Sequence, residues 1–234
     1  LIDLCHYILD NKLFIDNCNL ANRFHVIRKV NEETFSLFIN SIPSSLKNLF
    51  IMSNLNGAIA SKNIHLIKYL FDQNAKSELA LIEAVKTNDI KIVELVLEYF
   101  DLKFINENTK EGTALTIAVE RSNLEIVNKL LSIEGIDPSL VDSNNQTALN
   151  IAIIKQEIEI CNKILDFYGE NIKDQVSQIN ESIKIILKSR YSTGFGVKQD
   201  KFSQMSKIVP ILKRILEVEN VDLNCVEDNY SILS

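Results

Sequence analysis

The feature that most constrains this chain is a segment that occurs twice. Residues 113–119 read Thr-Ala-Leu-Thr-Ile-Ala-Val, and residues 147–153 read Thr-Ala-Leu-Asn-Ile-Ala-Ile, an offset of 34 positions (147 − 113). Leu81 precedes Leu115 by the same 34 positions (115 − 81). A fixed period of this size indicates a repeat architecture, in which copies of one supersecondary unit stack side by side. We therefore expect a single array of repeats.

Each copy reads as two short helices joined by a turn. The hydroxyl of Thr113 can cap the first, inner helix, and the amide of Asn123 can cap the second, outer helix. The inner helix would place three apolar side chains on one face, those of Leu115, Ala118 and Val119. Gly135 can supply the left-handed residue that ends the outer helix. Two helices of this length bury too little surface alone, so neighbouring copies must stack.

The pattern resembles the ankyrin repeat. The Thr-Pro-Leu-His-x-Ala signature of that family has a counterpart in both copies, with alanine in place of proline and Thr116 or Asn150 in place of histidine. The resemblance implies an all-α fold, an ankyrin-repeat solenoid of stacked helix-turn-helix units with short finger loops. An upstream copy is shorter, because Leu55 precedes Leu81 by only 26 positions (81 − 55). This copy is predicted to lack its finger loop after Phe71, as in a divergent subclass of the repeat.

The ends of the chain follow the pattern less closely. We assign residues 1–50 to a helical N-terminal segment that could serve as a divergent cap, with a helix beginning near Ser44. Residues 51–234 form the repeat array, and an insertion at about 191–206 interrupts it before an outer helix that resumes near Ser206. The last repeat is incomplete. A chain that starts without methionine and ends inside a repeat is expected to be a fragment.

Composition and charge disfavour several classes of function. The net charge of −6, with lysines and arginines scattered among acids, disfavours a nucleic-acid partner. No apolar run reaches the roughly 18 residues that a membrane span requires. The four cysteines lack the spacing of zinc or redox motifs, so we expect free thiols in a cytoplasmic protein, with Cys161 as a small buried residue. His65 has no nucleophile motif beside it, and neither a metal nor a cofactor is predicted.

The resemblance also implies where a partner would bind. In ankyrin proteins the loop tips and the residues that follow the inner-helix alanines contact the partner. The matching positions here are Thr109, Lys110, Gly112, Glu120, Arg121, Ser143, Asn144, Gln146, Ile154 and Lys155. Ile154 is the one apolar member. The turn glycine of the family is replaced by Glu111 in one copy and by Asn145 in the other, although asparagine tolerates the left-handed conformation.

The function that follows is binding without catalysis. The resemblance implies a monomeric scaffold that binds another protein through a concave face built from finger loops and inner helices. Two alternatives stay open. The chain could be a substrate-recruiting adaptor of a larger complex such as a ubiquitin ligase, or the regulatory repeat region of an enzyme whose catalytic domain lies outside this chain. A degron-box or a catalytic motif in a longer chain would favour these alternatives.

Overall fold

The computed structural model describes a continuous segment and a few single positions, and most of its regular elements are helices. Described are residues 44–169 and Ser36, Asn40, Asn180, Val209, Pro210, Lys213 and Arg214. The helices in the continuous segment are α1 Ser44–Ala60, α2 Ile64–Asp72, α3 Ala80–Lys86, α4 Ile90–Leu97, α5 Ala114–Glu120, α6 Leu124–Leu131, α7 Ala148–Lys155 and α8 Ile158–Tyr168. None of them combines the length and the hydropathy needed to cross a bilayer. The predicted all-α architecture is confirmed for this part of the chain.

The chain divides into two compact units, Leu1–Phe104 and Ile105–Ser234. In the first unit α1 packs on α2 and on α3, and α3 packs on α4. In the second unit α5 and α7 each pack on their own outer helix, α6 and α8 respectively. The inner helices α5 and α7 also pack on each other, as do the outer helices α6 and α8. Within each unit, the helix-turn-helix pairs therefore stack as the repeat pattern predicts.

The residues matched by the repeat pattern form the core. The inner-helix leucines are at most 2% exposed, and the inner-helix alanines are fully buried. They are Leu55, Leu81, Leu115 and Leu149, and Ala58, Ala84, Ala118 and Ala152. Alanine has the small volume that lets two inner helices approach closely in a densely packed interior. The register derived from the sequence is confirmed from α1 to α7.

The helix starts follow the predicted capping residues. The side-chain oxygen of Thr113 accepts a hydrogen bond from the backbone N–H of Thr116 at 3.2 Å. Thr147 caps α7 in the same way, and Asn123 caps α6 by accepting from the N–H of Ile126 at 3.1 Å. Each cap satisfies one of the amides that have no partner inside the helix. The predicted caps Thr113 and Asn123 are confirmed, and Thr147 occupies the equivalent position in the next copy.

The turn between the inner and outer helix contains a left-handed residue that the sequence did not reveal. At the end of α5, the N–H of Ser122 donates to the carbonyl of Val119 at 2.9 Å, and the N–H of Asn123 donates to that of Ala118 at 3.3 Å. This pair of bonds is a Schellman motif, which requires positive φ at its turn residue. The four turn residues have φ between +54° and +61°, and they are Lys62, Asn88, Ser122 and Gln156. None of the four is glycine, so the residue that most often indicates a left-handed turn is absent from these positions.

The connections between repeats are of two kinds. Residues 73–79 join α2 to α3 without a hairpin, whereas residues 98–113 join α4 to α5 and carry the strands β1 Asn108–Thr109 and β2 Gly112–Thr113. The loss of the finger loop after Phe71 is thereby confirmed. The prediction that Gly135 ends the outer helix is wrong. Helix α6 ends at Leu131 with Ser132 as its cap residue, and Gly135 takes its left-handed φ of +85° in the turn that follows.

Other sequence predictions concern residues at the ends of the continuous described segment or outside it. The predicted helix near Ser44 is confirmed, and α1 continues without a break through residue 50, where the sequence placed the start of the array. Val209, Pro210, Lys213 and Arg214 are helical, in the stretch predicted to form an outer helix. The Arg214 guanidinium contacts the side chains of Asn162 and Asp166 on α8. The segment before residue 36, the 191–206 insertion and the last repeat lie outside the described residues.

Candidate partner-binding site

The first finger is a tight hairpin with Lys110 and Glu111 at its tip. Thr109 pairs with Gly112 across the hairpin, and the Thr109 hydroxyl donates to the Gly112 carbonyl at 3.1 Å. Gly112 is buried with φ of +110°, and a Cβ at this position would collide with the hydroxyl of Thr116. Only glycine fits both the conformation and the space. Gly112 thus shapes the tip and presents Lys110, while its own surface is covered.

The second finger has a wider loop that is held by one carboxylate. Asp142 accepts hydrogen bonds from the N–H of Asn144 at 2.8 Å and from the N–H of Gln146 at 2.9 Å. Asn145 adopts the left-handed conformation with φ of +59°, as the sequence allowed. Ser143 and Asn144 are exposed at the tip, and Gln146 is half-buried at its base. The Asp142 side chain thereby fixes the shape of the second finger, whereas Gly112 fixes the shape of the first.

The two fingers have different pairing registers although their sequences align without a gap. Thr113 pairs with Asn108, whereas Thr147 pairs with Val141, whose counterpart in the first copy is Glu107. The glycine in the first finger permits a turn that is closed by a two-residue tip. The tip residues of the two copies are therefore equivalent in sequence but not in geometry.

Two asparagines in the first copy hold the base of the next finger. The Asn106 amide donates to the carbonyl of Gly135 at 2.8 Å, and its oxygen accepts from the N–H of Asp137 at 2.9 Å. The Asn108 amide donates to the carbonyl of Val141 at 2.7 Å. Sequence reasoning missed both residues, because nothing in the local pattern shows which backbone groups lie one repeat away. These bonds join the two fingers and limit their independent movement.

The remaining candidate positions come together at the other end of the inner helices. Glu120 and Arg121 end α5, and Ile154 and Lys155 end α7; all four are exposed. The Lys155 ammonium donates a hydrogen bond to the backbone carbonyl of Glu120. This contact joins the ends of α5 and α7, and we call the four residues at these ends the helix-end patch.

The candidate positions thus fall into two groups instead of one face. The finger group holds Thr109, Lys110, Gly112, Ser143, Asn144 and Gln146, and it precedes the inner helices. Residues 114–119 of α5 and 148–153 of α7 are buried between this group and the helix-end patch. Helices α5 and α7 therefore expose little side-chain surface along their length, and their exposed residues lie at their C-terminal ends.

Comparison with known protein families gives a result that agrees with this geometry. A family model described as ankyrin repeats, in three copies, matches residues 49–142 and 100–176, more than half of the chain. The chain belongs to the ankyrin-repeat family. No curated protein matches it at a significant level. The predicted fold class, an all-α repeat solenoid, is thereby confirmed. Ankyrin repeats are generally protein-interaction modules and typically carry no catalytic activity.

The titratable groups of the ankyrin core have packing roles. Cys161 lies where the preceding repeat has Val127; it is fully buried, and desolvation raises the pKa of its thiol to about 12. Burial also raises the pKa of the Tyr168 hydroxyl, and the nearby negative charge of Asp137 adds to this shift. His65 is exposed. Among the described residues no group of three histidine, cysteine or acidic side chains is placed to hold a metal ion.

Proposed function

We propose that this ankyrin-repeat chain binds another protein through the finger group and the helix-end patch, with no catalysis of its own. One observation carries the proposal. All the candidate positions except Gly112 keep side-chain surface accessible, while the residues between them in α5 and α7 are buried. The buried residues maintain the array, and the accessible ones are available to a partner. Gly112 contributes by holding the first tip in shape.

The rigidity of this surface favours binding. The fingers are joined to each other through Asn106 and Asn108, and each inner helix is closed by a left-handed turn. A surface that is already ordered loses little conformational entropy when a partner binds. Polar tips held in this way can form specific hydrogen bonds at a lower entropic cost than a flexible loop.

We further propose that the chain acts as a monomer in the cytoplasm and that its partner is a protein, not a nucleic acid. The negative net charge supports a protein partner, because a phosphate backbone would be repelled. The buried Cys161 thiol is compatible with a reducing compartment. Size-exclusion chromatography with light scattering tests the monomer, and a species of twice the chain mass would refute it.

The test of the binding function compares capture from a cell lysate by four forms of the chain. They are the wild type, a finger variant (Lys110→Glu with Asn144→Ala), a patch variant (Arg121→Glu with Ile154→Asp) and Lys163→Glu. The last is the matched control, because Lys163 is exposed on the outer helix α8. We expect quantitative mass spectrometry to show proteins retained by the wild type and the control and lost with the finger or the patch variant.

Circular dichroism first establishes that each variant is folded. Retention of the same proteins by all four forms would contradict the proposed surface. Loss with Lys163→Glu alone would move the binding surface to the outer helices. Failure of the wild type to retain any protein above the background of the bare resin would contradict the binding function of this chain.

A further inference from the structure

The helix-end patch combines one exposed apolar side chain with charged neighbours. Ile154 is 43% exposed, which leaves a large part of its aliphatic surface in contact with water. Glu120 and Arg121 lie on the neighbouring inner helix, and Lys155 reaches from the end of α7 to the Glu120 carbonyl. An apolar side chain surrounded by polar residues is the arrangement found at the energetic centre of many protein interfaces.

The net charge of the helix-end patch is opposite in sign to that of the unit around it. Residues 105–169 contain ten acidic and five basic side chains, a net charge of −5 (5 − 10). The patch holds two of these bases, Arg121 and Lys155, and one of these acids, Glu120, a net charge of +1 (2 − 1). The patch is therefore a basic region on an acidic unit, and it favours a partner with acidic side chains.

The cations of the helix-end patch are available to a partner. The side chain of Arg121 forms no ion pair with any of the described residues, whereas Lys62, Lys86 and Lys103 are paired with acids. The Lys155 ammonium uses one N–H for the Glu120 carbonyl and keeps two others. The acceptor is a neutral carbonyl, so this bond does not pair the Lys155 ammonium with an acid.

We propose that the helix-end patch docks an acidic segment of the partner protein, with an aliphatic or aromatic side chain over Ile154 and carboxylates on Arg121 and Lys155. This inference rests on the proposed binding function. Helices α5 and α7 pack directly, and the axes of packed helices lie about 8–10 Å apart. An extended peptide covers that distance in about three residues. The segment therefore carries two acidic residues about three positions apart, with an apolar residue between them or next to them.

A different role for the two cations makes a different prediction. Arg121 and Lys155 lie at the C-terminal ends of α5 and α7, where positive charge offsets the negative end of the helix dipole. If this were their only role, changing them would lower stability and would leave the choice of peptide unaffected. Ile154 would then have no part in binding. The experiment therefore measures peptide choice and affinity separately from stability.

The probe is a library of random 12-residue peptides displayed on phage and selected on the full chain. We expect the selected peptides to carry aspartate or glutamate on one or both sides of leucine, isoleucine or phenylalanine. The affinity of the most enriched peptide is then measured by fluorescence anisotropy. Arg121→Glu and Ile154→Asp should each weaken binding at least tenfold, and Arg121→Lys should weaken it less. Lys163→Glu is the matched control and should change the affinity less than twofold.

Three outcomes overturn the inference. The selection could enrich no peptide, it could enrich peptides without acidic residues, or the selected peptide could bind Arg121→Glu and Ile154→Asp as tightly as the wild type. The lysate experiment separates these failures from a failure of the proposed function. If the finger variant loses its captured proteins while the patch variant keeps them, the binding function stands and the acidic-segment inference is wrong. If neither variant loses any, both are wrong.

Discussion

Burying a charge at Ala118 should destabilise the array. Ala118 is fully buried in α5, which packs on both α6 and α7, so an aspartate there would have no access to water. An unpaired carboxylate, or an unpaired carboxyl group that takes up a proton to avoid charge, costs several kcal/mol in such a site. We expect Ala118→Asp to lower the free energy of unfolding by about 3 kcal/mol or more at pH 7. That is a large part of the roughly 5–15 kcal/mol available to a typical domain.

The penalty should depend on pH with a defined sign. Burial disfavours the charged form, so the introduced carboxyl should have a higher pKa in the folded chain than the value of about 3.9 in the unfolded chain. The folded state then binds more protons between the two pKa values, and the variant loses stability relative to wild type as the pH rises through that range. A penalty of about 3 kcal/mol, if it were all due to the charge, corresponds to a shift of about two pKa units. The deficit should therefore be smaller at pH 4 than at pH 7.

Urea denaturation followed by circular dichroism measures this effect in wild type, Ala118→Asp and the matched control Arg121→Asp. The control introduces the same side chain at an exposed position three residues away. We expect the midpoint to fall strongly for Ala118→Asp and much less for Arg121→Asp, which only removes a favourable charge at the end of α5. An unchanged midpoint for Ala118→Asp at pH 7 would refute the register that places Ala118 between packed helices.

Three further predictions test the turns and the core. Ser122→Gly should raise stability by about 0.5 kcal/mol, because relief of the strain of serine at φ of +54° outweighs the entropy that the more flexible glycine loses on folding. The control Ser132→Gly, at φ of −81°, should lower stability, since serine is not strained there. Equal shifts of the thermal midpoint for the two variants would contradict this account. Gly112→Ala should lower stability by about 1–3 kcal/mol through backbone strain and the collision with Thr116, and an unchanged thermal midpoint would show that the hairpin is not as tight as described. Cys161 should react with iodoacetamide at pH 8 far more slowly in the native chain than in urea, because burial raises the pKa of its thiol to about 12. Peptide mass spectrometry measures the two rates, and equal rates would mean that the thiol is exposed in the native chain.

Much of the fold follows from local pattern. The caps formed by Thr113 and Asn123 and the buried register of Leu115 and Ala118 depend on residue type and on spacing along one helix, so the sequence predicts them. The shortened connection after Phe71 follows equally from counting positions between matched residues. The candidate positions at the finger tips and helix ends were taken from the family resemblance, and their role in binding stays a prediction. Their division into two groups was not foreseen.

The features that sequence reasoning missed or misplaced depend on contacts beyond one helix. The left-handed turn at Ser122 contains no glycine, and it is imposed by the need to begin α6 immediately after α5 ends. The end of α6 was wrongly placed at Gly135, because α6 already ends at Leu131 with Ser132 as its cap residue.

The sequence by itself determined the all-α repeat class, the pairing of inner and outer helices and the residues of their cores, because each copy repeats the same local signals. The tertiary structure decided the finger registers, the bonds of Asn106 and Asn108 to the next finger, and the contact of Lys155 with Glu120. These depend on which backbone groups of one repeat come within hydrogen-bonding distance of side chains in the next. That distance is set by the packing of α5 on α7 and of α6 on α8, and no pattern along the chain reports it.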